Sequence, residues 1–88
     1  MLKVAKFGGS SLADANQFKK VKEILLSDPD RHYVVPSAPG KRFKEDEKVT
    51  DLLYKCYQAA EAGERVTPIF EKIYTRYMDI VKELGVDI

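Results

Sequence analysis

The order of the hydrophobic patterns over residues 1–36 most constrains how this chain can fold. A short apolar segment, Leu2–Phe7, precedes apolar residues at helical spacing, which predict a helix from about Asp14 to about Ser27. The next apolar segment, Tyr33–Val35, has the length of a strand and is closed by Pro36, which cannot donate a ladder hydrogen bond. Because a strand, helix and strand in this order return the chain in the same direction, the sequence predicts two parallel strands.

Two further amphipathic helices are predicted after the second strand. The first ends near Gly63 and has an apolar stripe of Val49, Leu52, Leu53, Cys56, Tyr57 and Ala60. The second has Thr67 as its cap, Pro68 at its first helical position and Gly85 at its end. Its predicted stripe is Phe70, Ile73, Tyr74, Tyr77, Val81 and Leu84.

The two predicted strands are too few to cover the apolar faces of the three predicted helices. Two parallel strands do not form a stable sheet alone, because parallel sheets need neighbouring strands and cover on both faces. The sequence therefore predicts an α/β fold class and the opening segment of a larger domain. We expect four apolar side chains to stay exposed or to meet a partner chain: Leu53, Phe70, Ile73 and Tyr77.

Composition excludes several functional classes. With 88 residues and a net charge of +1, the chain is at most one small domain and offers no electrostatic argument for nucleic acid or an acidic membrane surface. No apolar run reaches the roughly 18 residues of a membrane span. Cys56 is the only cysteine and is expected in the core, and with no secretory segment we expect a cytoplasmic protein. His32 has no Cys or His cluster around it, so no metal site is predicted.

The stretch KFGGSS, residues 6–11, lies where the first strand passes into the first helix. Glycines let backbone N–H groups approach an anion, the start of a helix attracts negative charge, and Lys6 adds a positive one. Ser11 is the predicted N-cap of that helix. The turn 37–40 follows the second parallel strand, so both loops should lie at the same edge of the sheet. From the residues alone, a phosphate site and a plain structural turn remain equally open.

Three motifs resemble the aspartate kinase family of the amino acid kinase superfamily. They are KFGGSS, VVPSAPGKR and KVTDLLY, and they occur in the family's order over residues 6–54. Pro36 departs from the apolar residue that many members carry there. The resemblance implies a three-layer αβα fold in which residues 1–88 form the N-terminal segment of the catalytic domain. The rest of that domain, with its substrate-gripping Glu and Arg, and the regulatory domains would lie beyond this chain.

The resemblance also implies a reaction and its residues. Lys6 would be catalytic, contacting the ATP phosphates and stabilising the transferred phosphoryl group, and Thr50 would contact the amino-acid substrate. ATP with Mg²⁺ would phosphorylate the side chain of L-aspartate in the biosynthesis of lysine, threonine and methionine, in a homo-oligomeric enzyme. No metal ligand is identified in this segment. The implied nucleotide-binding residues are Lys6, Phe7, Gly8, Gly9, Ser10 and Ser37.

The alternative interpretation is a non-catalytic α/β fragment or interaction module whose glycine loop only turns the chain. In loop 41–48, Lys41, Arg42 and Lys44 could reach a phosphate or a substrate carboxylate. The sequence favours a solvated loop instead, with these charges balanced by Glu45, Asp46 and Glu47. A reading frame that continues past Ile88 into further α/β units would favour the enzyme, and a natural stop codon there would favour the module.

Because most of the implied nucleotide and substrate pockets lie outside these 88 residues, the isolated chain should not phosphorylate aspartate. A coupled assay of ADP release with the pure chain checks this expectation. Turnover that depends on added aspartate would contradict it.

Overall fold

The structure, a computed structural model, describes residues 1–87. Within this range the chain forms two strands and three α-helices, as predicted, together with a short 3₁₀ helix that was not predicted. In chain order the elements are β1 (Lys3–Phe7), the 3₁₀ helix (Gly9–Leu12), α1 (Ala15–Leu26), β2 (Arg31–Pro36), α2 (Val49–Glu61) and α3 (Thr67–Leu84). No helix in this range is long and apolar enough to cross a membrane.

The two strands pair in parallel, which confirms the predicted strand–helix–strand unit. The register runs from Lys3 opposite Arg31 to Phe7 opposite Pro36, so the pairing ends at the proline. Ala5 and Phe7 pack toward α1. Because side chains alternate along a strand, the other face of β1 is not covered, and Val4 there is 69% exposed.

Two separate hydrophobic clusters form the core. The first joins β1 to α1 through Phe7, Leu12 and Val21, with Ala5, Phe18 and Leu25 partly buried against them. The second joins α2 to α3 through Val49, Leu52 and Ile73, with Ala38, Cys56 and Ile69 partly buried against them. Cys56 thus packs against the core, as predicted, and its thiol is free.

The buried faces of α2 and α3 differ from the predicted stripes. The buried residues of α2 are Val49, Leu52 and Ala59, and those of α3 are Ile73, Arg76 and Ile80. The predicted stripes are wrong at several positions because each helix carries apolar residues over more than half of its circumference. Leu53, Phe70 and Tyr77 are 53%, 54% and 41% exposed, as expected, whereas Ile73 faces α2 and is buried.

Two predicted caps are also wrong. Asp14 is the N-cap of α1, since its carboxylate accepts a 3.0 Å hydrogen bond from the Gln17 backbone N–H. Ser11 lies instead within the 3₁₀ helix. Thr67 is the first residue of α3 and its side chain caps nothing, because the N-cap position belongs to Val66. Gly85 ends α3 at φ +70°, as the sequence predicts.

One buried cation connects the two clusters. The Arg76 side chain, only 4% exposed, donates to the carbonyls of Gly40 at 2.6 Å, Glu47 at 2.9 Å and Ala13 at 3.0 Å. These carbonyls belong to three irregular segments that make no ladder of their own. Arg76 therefore anchors the end of the 3₁₀ helix and the loop that precedes α2 to the long helix α3.

The charge on Arg76 has a carboxylate nearby. An Asp46 oxygen lies 3.7 Å from its guanidinium and 2.6 Å from that of Arg42. The Arg42 hydrogen bonds hold the pKa of the Asp46 carboxyl well below its usual range, so this carboxylate stays ionised at neutral pH. Burial lowers the pKa of Arg76, yet an arginine remains charged in proteins. The sequence predicts a solvated loop at residues 41–48. In the structure, ion pairs hold part of this loop in place.

Replacing Arg76 with Met should lower the free energy of unfolding by about 3 kcal/mol or more, because three carbonyls lose a charged donor. Arg76→Lys should fall between Met and the wild type, since one ammonium cannot span three carbonyls in the way a planar fork does. Urea denaturation followed by circular dichroism measures both. Arg65→Met, at an exposed position, is the matched control, and an equal midpoint for it and Arg76→Met would refute the anchor.

Candidate functional site

The loops that follow β1 and β2 touch each other, as the parallel pairing predicts. The Ser37 N–H donates to the Phe7 carbonyl at 3.0 Å, extending the strand pairing by one step. Beyond it, the Gly40 N–H donates to the Gly9 carbonyl at 2.8 Å. Loops 8–11 and 37–40 thus lie side by side at the carboxyl ends of the two strands, where open α/β sheets bind ligands.

The contact between these loops is made by backbone alone. A Cβ placed on Gly40 would lie 2.7 Å from the carbonyl carbon of Gly9 and 2.9 Å from its oxygen, closer than any real Cβ contact. A Cβ on Gly9 would lie 3.1 Å from the Ala38 oxygen, whereas one on Gly8 would meet nothing within 4 Å. Of the two adjacent glycines, only Gly9 therefore lies where a side chain would be crowded.

A cavity of about 480 Å³ opens between these loops and the start of α2. It brings together four of the residues that the sequence singles out, namely Gly9, Ser10, Ser37 and Thr50. Thr50 reaches it because the Val49 N–H donates to the Pro39 carbonyl at 3.0 Å, which fixes the first turn of α2 on the second loop. The remaining lining residues are Ala38, Pro39, Gly40, Lys41 and Lys48.

The other three predicted nucleotide-binding residues do not line this cavity. Lys6 lies on β1 opposite Val35 with its side chain exposed, and within residues 1–87 it takes part in no ion pair. The Phe7 side chain is buried in the first core cluster, so only its backbone faces the loop. Gly8 precedes the 3₁₀ helix as its N-cap. The roles that the resemblance implies for these residues stay predictions.

Two lysines of the cavity were missed as site residues. For Lys41 the sequence favours a solvated loop over a phosphate or carboxylate contact, and for Lys48 it predicts no function. Lys48 is the N-cap of α2, and the first N–H groups of a 13-residue helix lack intrahelical partners and attract negative charge. A lysine directly before a helix start, two residues ahead of a threonine, is the sequence signal that could have found it.

The chemistry of the lining suits oxyanions. Three hydroxyl residues and two lysines line the cavity, and no Asp or Glu is among its lining residues. Phosphate or carboxylate oxygens find donors there. Mg²⁺ prefers carboxylate oxygens and water, so this lining does not fit it. Over residues 1–87, no group of three or more His, Cys, Asp or Glu side chains is placed to hold a metal ion.

Gly40→Ala should lower the free energy of unfolding by about 1–3 kcal/mol, because the new methyl group forces the two loops apart. Gly8→Ala, which adds the same methyl where space is open and φ is −76°, should be neutral or slightly stabilising. Thermal denaturation of the two variants side by side makes the measurement. Equal losses in both would mean that the loop contact does not constrain the site.

Comparison with known proteins gives the relatives of this chain. No protein-family model matches it. It is 49% identical over 83 residues to aspartokinase 3 of Bacillus subtilis, covering 94% of this chain and 18% of that protein. It is 37% identical over 70 residues to the lysine-sensitive aspartokinase 3 of Escherichia coli, covering 80% of this chain and 13% of that protein.

The fold agrees with the sequence comparison. The crystal structure of Clostridium acetobutylicum aspartate kinase superposes with a TM-score of 0.93 at 55% identity, covering 97% of this chain and 20% of that one. The chain thus spans about a fifth of the length of the relatives it matches. By sequence and by fold, this chain belongs to the aspartate kinase family and corresponds to an N-terminal portion of it.

Proposed function

We propose that this chain forms the phosphate side of an active site that transfers the γ-phosphoryl group of ATP to the side-chain carboxylate of L-aspartate, giving 4-phospho-L-aspartate. The observation that carries the proposal is the cavity at the strand ends, where Gly9, Ser10, Ser37 and Thr50 meet without a carboxylate. In this proposal residues 1–88 open the catalytic domain, and the product enters the biosynthesis of lysine, threonine and methionine. The homo-oligomeric state and the cytoplasmic location stay predictions.

The proposed transfer needs little covalent chemistry from the protein. A carboxylate oxygen of aspartate attacks the γ-phosphorus while the bond to the leaving ADP oxygen breaks. The carboxylate is already deprotonated at neutral pH, so no general base is required. Catalysis then depends on aligning two anions and on stabilising the charge of the transferring group.

Residues of this chain supply both requirements. In the proposal the Ser10 and Ser37 hydroxyls donate to phosphate oxygens at the loop contact, and Thr50 holds the amino-acid substrate on the α2 side. Lys6, exposed on the strand that leads into the glycine loop, carries a compact positive charge with no ion-pair partner among residues 1–87. Such a charge stabilises the phosphoryl oxygens most as the bond to ADP breaks.

A specific observation also favours the non-catalytic alternative. The close approach of Gly9 and Gly40 explains the need for Gly9 by packing alone, with no phosphate present. The glycine loop is therefore compatible with a purely structural turn. Lys6 separates the two interpretations, because its exposed side chain contributes nothing to that packing.

The test places this segment in a whole enzyme. The chain replaces the matching segment of Clostridium acetobutylicum aspartate kinase, to which it is 55% identical. This exchange enzyme should release ADP only when both ATP and aspartate are present. A soluble, folded exchange enzyme without that activity would refute the proposed function.

Within the exchange enzyme, Lys6→Ala should lower kcat by about 100-fold or more, since a charge that acts on the transition state is lost. The KM for aspartate should move much less. Thr50→Val should show the reverse pattern, with the aspartate KM rising more than kcat falls. Steady-state kinetics decides, with Lys20→Ala on the exposed side of α1 as the control. A near wild-type kcat for Lys6→Ala would make the glycine loop a structural turn.

A further inference from the structure

We propose that Lys48, together with Lys41, forms an oxyanion-binding arm of the cavity, which holds carboxylate or phosphate oxygens of the substrates on the α2 side. Both lysines lie within motifs by which the chain resembles its family, VVPSAPGKR and KVTDLLY, but the resemblance assigns neither of them a phosphate or substrate contact. The inference rests on the proposed function for the identity of the substrates, and on the arrangement of charge around the cavity for the site itself.

Two of the three acidic residues of loop 41–48, Asp46 and Glu47, take part in ion pairs. Both Asp46 oxygens accept from the Arg42 guanidinium, at 2.6 and 2.9 Å. Glu47 pairs with Lys55 and, at 3.4 Å, with Lys72. The Lys55 hydrogen bond lowers the pKa of Glu47, so this carboxylate also stays ionised and bound to its partners. The Asp46 and Glu47 carboxylates are therefore held in ion pairs with Arg42 and with residues of α2 and α3, and neither residue lines the cavity.

This sorting of charges leaves the cavity basic. Lys41 and Lys48 both line it, and within residues 1–87 neither takes part in an ion pair. Lys44, from the same loop, is exposed and lies outside the lining. Two ammonium groups around a cavity without a carboxylate repel each other, and an anion between them removes that repulsion.

The backbone under Lys48 is fixed at three consecutive residues. The Glu47 carbonyl accepts from Arg76 at 2.9 Å, the Lys48 carbonyl accepts from the Leu52 N–H at 3.1 Å, and the Val49 N–H donates to Pro39 at 3.0 Å. Lys41 is attached in a similar way, since the carbonyl of the preceding Gly40 accepts from Arg76 at 2.6 Å. Both side chains thus begin from ordered backbone, and binding an anion has to order only their flexible stems.

The neighbouring donors complete an oxyanion site. Lys48 directly precedes the first turn of α2, whose first N–H groups lack intrahelical partners, and Thr50 of that turn also lines the cavity. Ser37 and Ser10 stand across the cavity. Lys6 does not line it, so the positive charge inside the cavity comes from Lys41 and Lys48. Thr50 is the implied substrate contact, so we assign the bound group to the carboxylate of aspartate, with an ATP phosphate as the other source of the same chemistry.

The experiment titrates the 88-residue chain, observed by amide NMR, with L-aspartate and separately with pyrophosphate at low ionic strength. Shifts at Ser10, Ser37 and Thr50 report the cavity. Lys48→Gln should weaken anion binding about tenfold or more, the scale of a lost charge-assisted hydrogen bond, and Lys41→Gln should weaken it less. Lys48→Arg should retain most of the binding, and Lys44→Gln is the matched control. Loss confined to aspartate identifies the carboxylate as the bound group, and loss confined to pyrophosphate identifies the phosphate.

The inference is overturned if neither anion shifts these amides in the folded wild-type chain, or if Lys44→Gln weakens binding as much as Lys48→Gln. Should the isolated chain give no dispersed spectrum, the exchange enzyme decides: Lys48→Gln should raise the KM of one substrate about tenfold with a smaller change in kcat, and unchanged KM values overturn the arm. If the exchange enzyme is active and its KM values are the same with Lys48→Gln, only the oxyanion-binding arm is refuted. If the exchange enzyme is inactive while the 88-residue chain binds an anion in a way that depends on Lys48, only the proposed function is refuted.

Discussion

The Arg76 guanidinium ties three irregular segments of the chain to α3. Its three carbonyl partners lie 29, 36 and 63 residues away in sequence, in segments that are neither helix nor strand. A small two-stranded sheet cannot pair such carbonyls, and leaving them buried without donors costs about 1–3 kcal/mol each. One planar cation on α3 satisfies all three. Its Nε is buried without a partner, so the arrangement leaves one donor unsatisfied in return.

How much the sequence predicts depends on how local the signal is. The strand–helix–strand unit follows from apolar spacing within about 36 residues, and the structure confirms it. The buried faces of α2 and α3 depend instead on which side meets the other helix. The spacing of its tyrosines places them on the predicted apolar stripe of α3, whereas the structure buries Ile73, Arg76 and Ile80. Arg76 was not predictable, because its partners are backbone carbonyls, which leave no mark in the sequence.

The candidate site shows the same division. Parallel strands place their carboxyl ends at one edge, so the meeting of loops 8–11 and 37–40 could be predicted. The sequence could not predict which of Gly8 and Gly9 lies in crowded surroundings, because the difference lies in the space around each Cα. Lys48 was missed for a related reason. A charged residue in a loop with nearby acids suggests solvent exposure, and only the ion pairs of Asp46 and Glu47 show that those acids are engaged elsewhere.

The backbone contact between Gly9 and Gly40 makes the two loops one mechanical unit. Atoms already at contact distance cannot move closer, and the 2.8 Å hydrogen bond resists their separation. The first turn of α2 is hydrogen-bonded to the second of these loops through the Pro39 carbonyl, and Arg76 of α3 donates to the Gly40 carbonyl of the same loop. A displacement of α2 is therefore transmitted to the end of β1 through backbone contacts alone, and a displacement of α3 is transmitted through the Arg76 side chain. A tilt of α2 changes the shape of the cavity and the position of the glycine loop together.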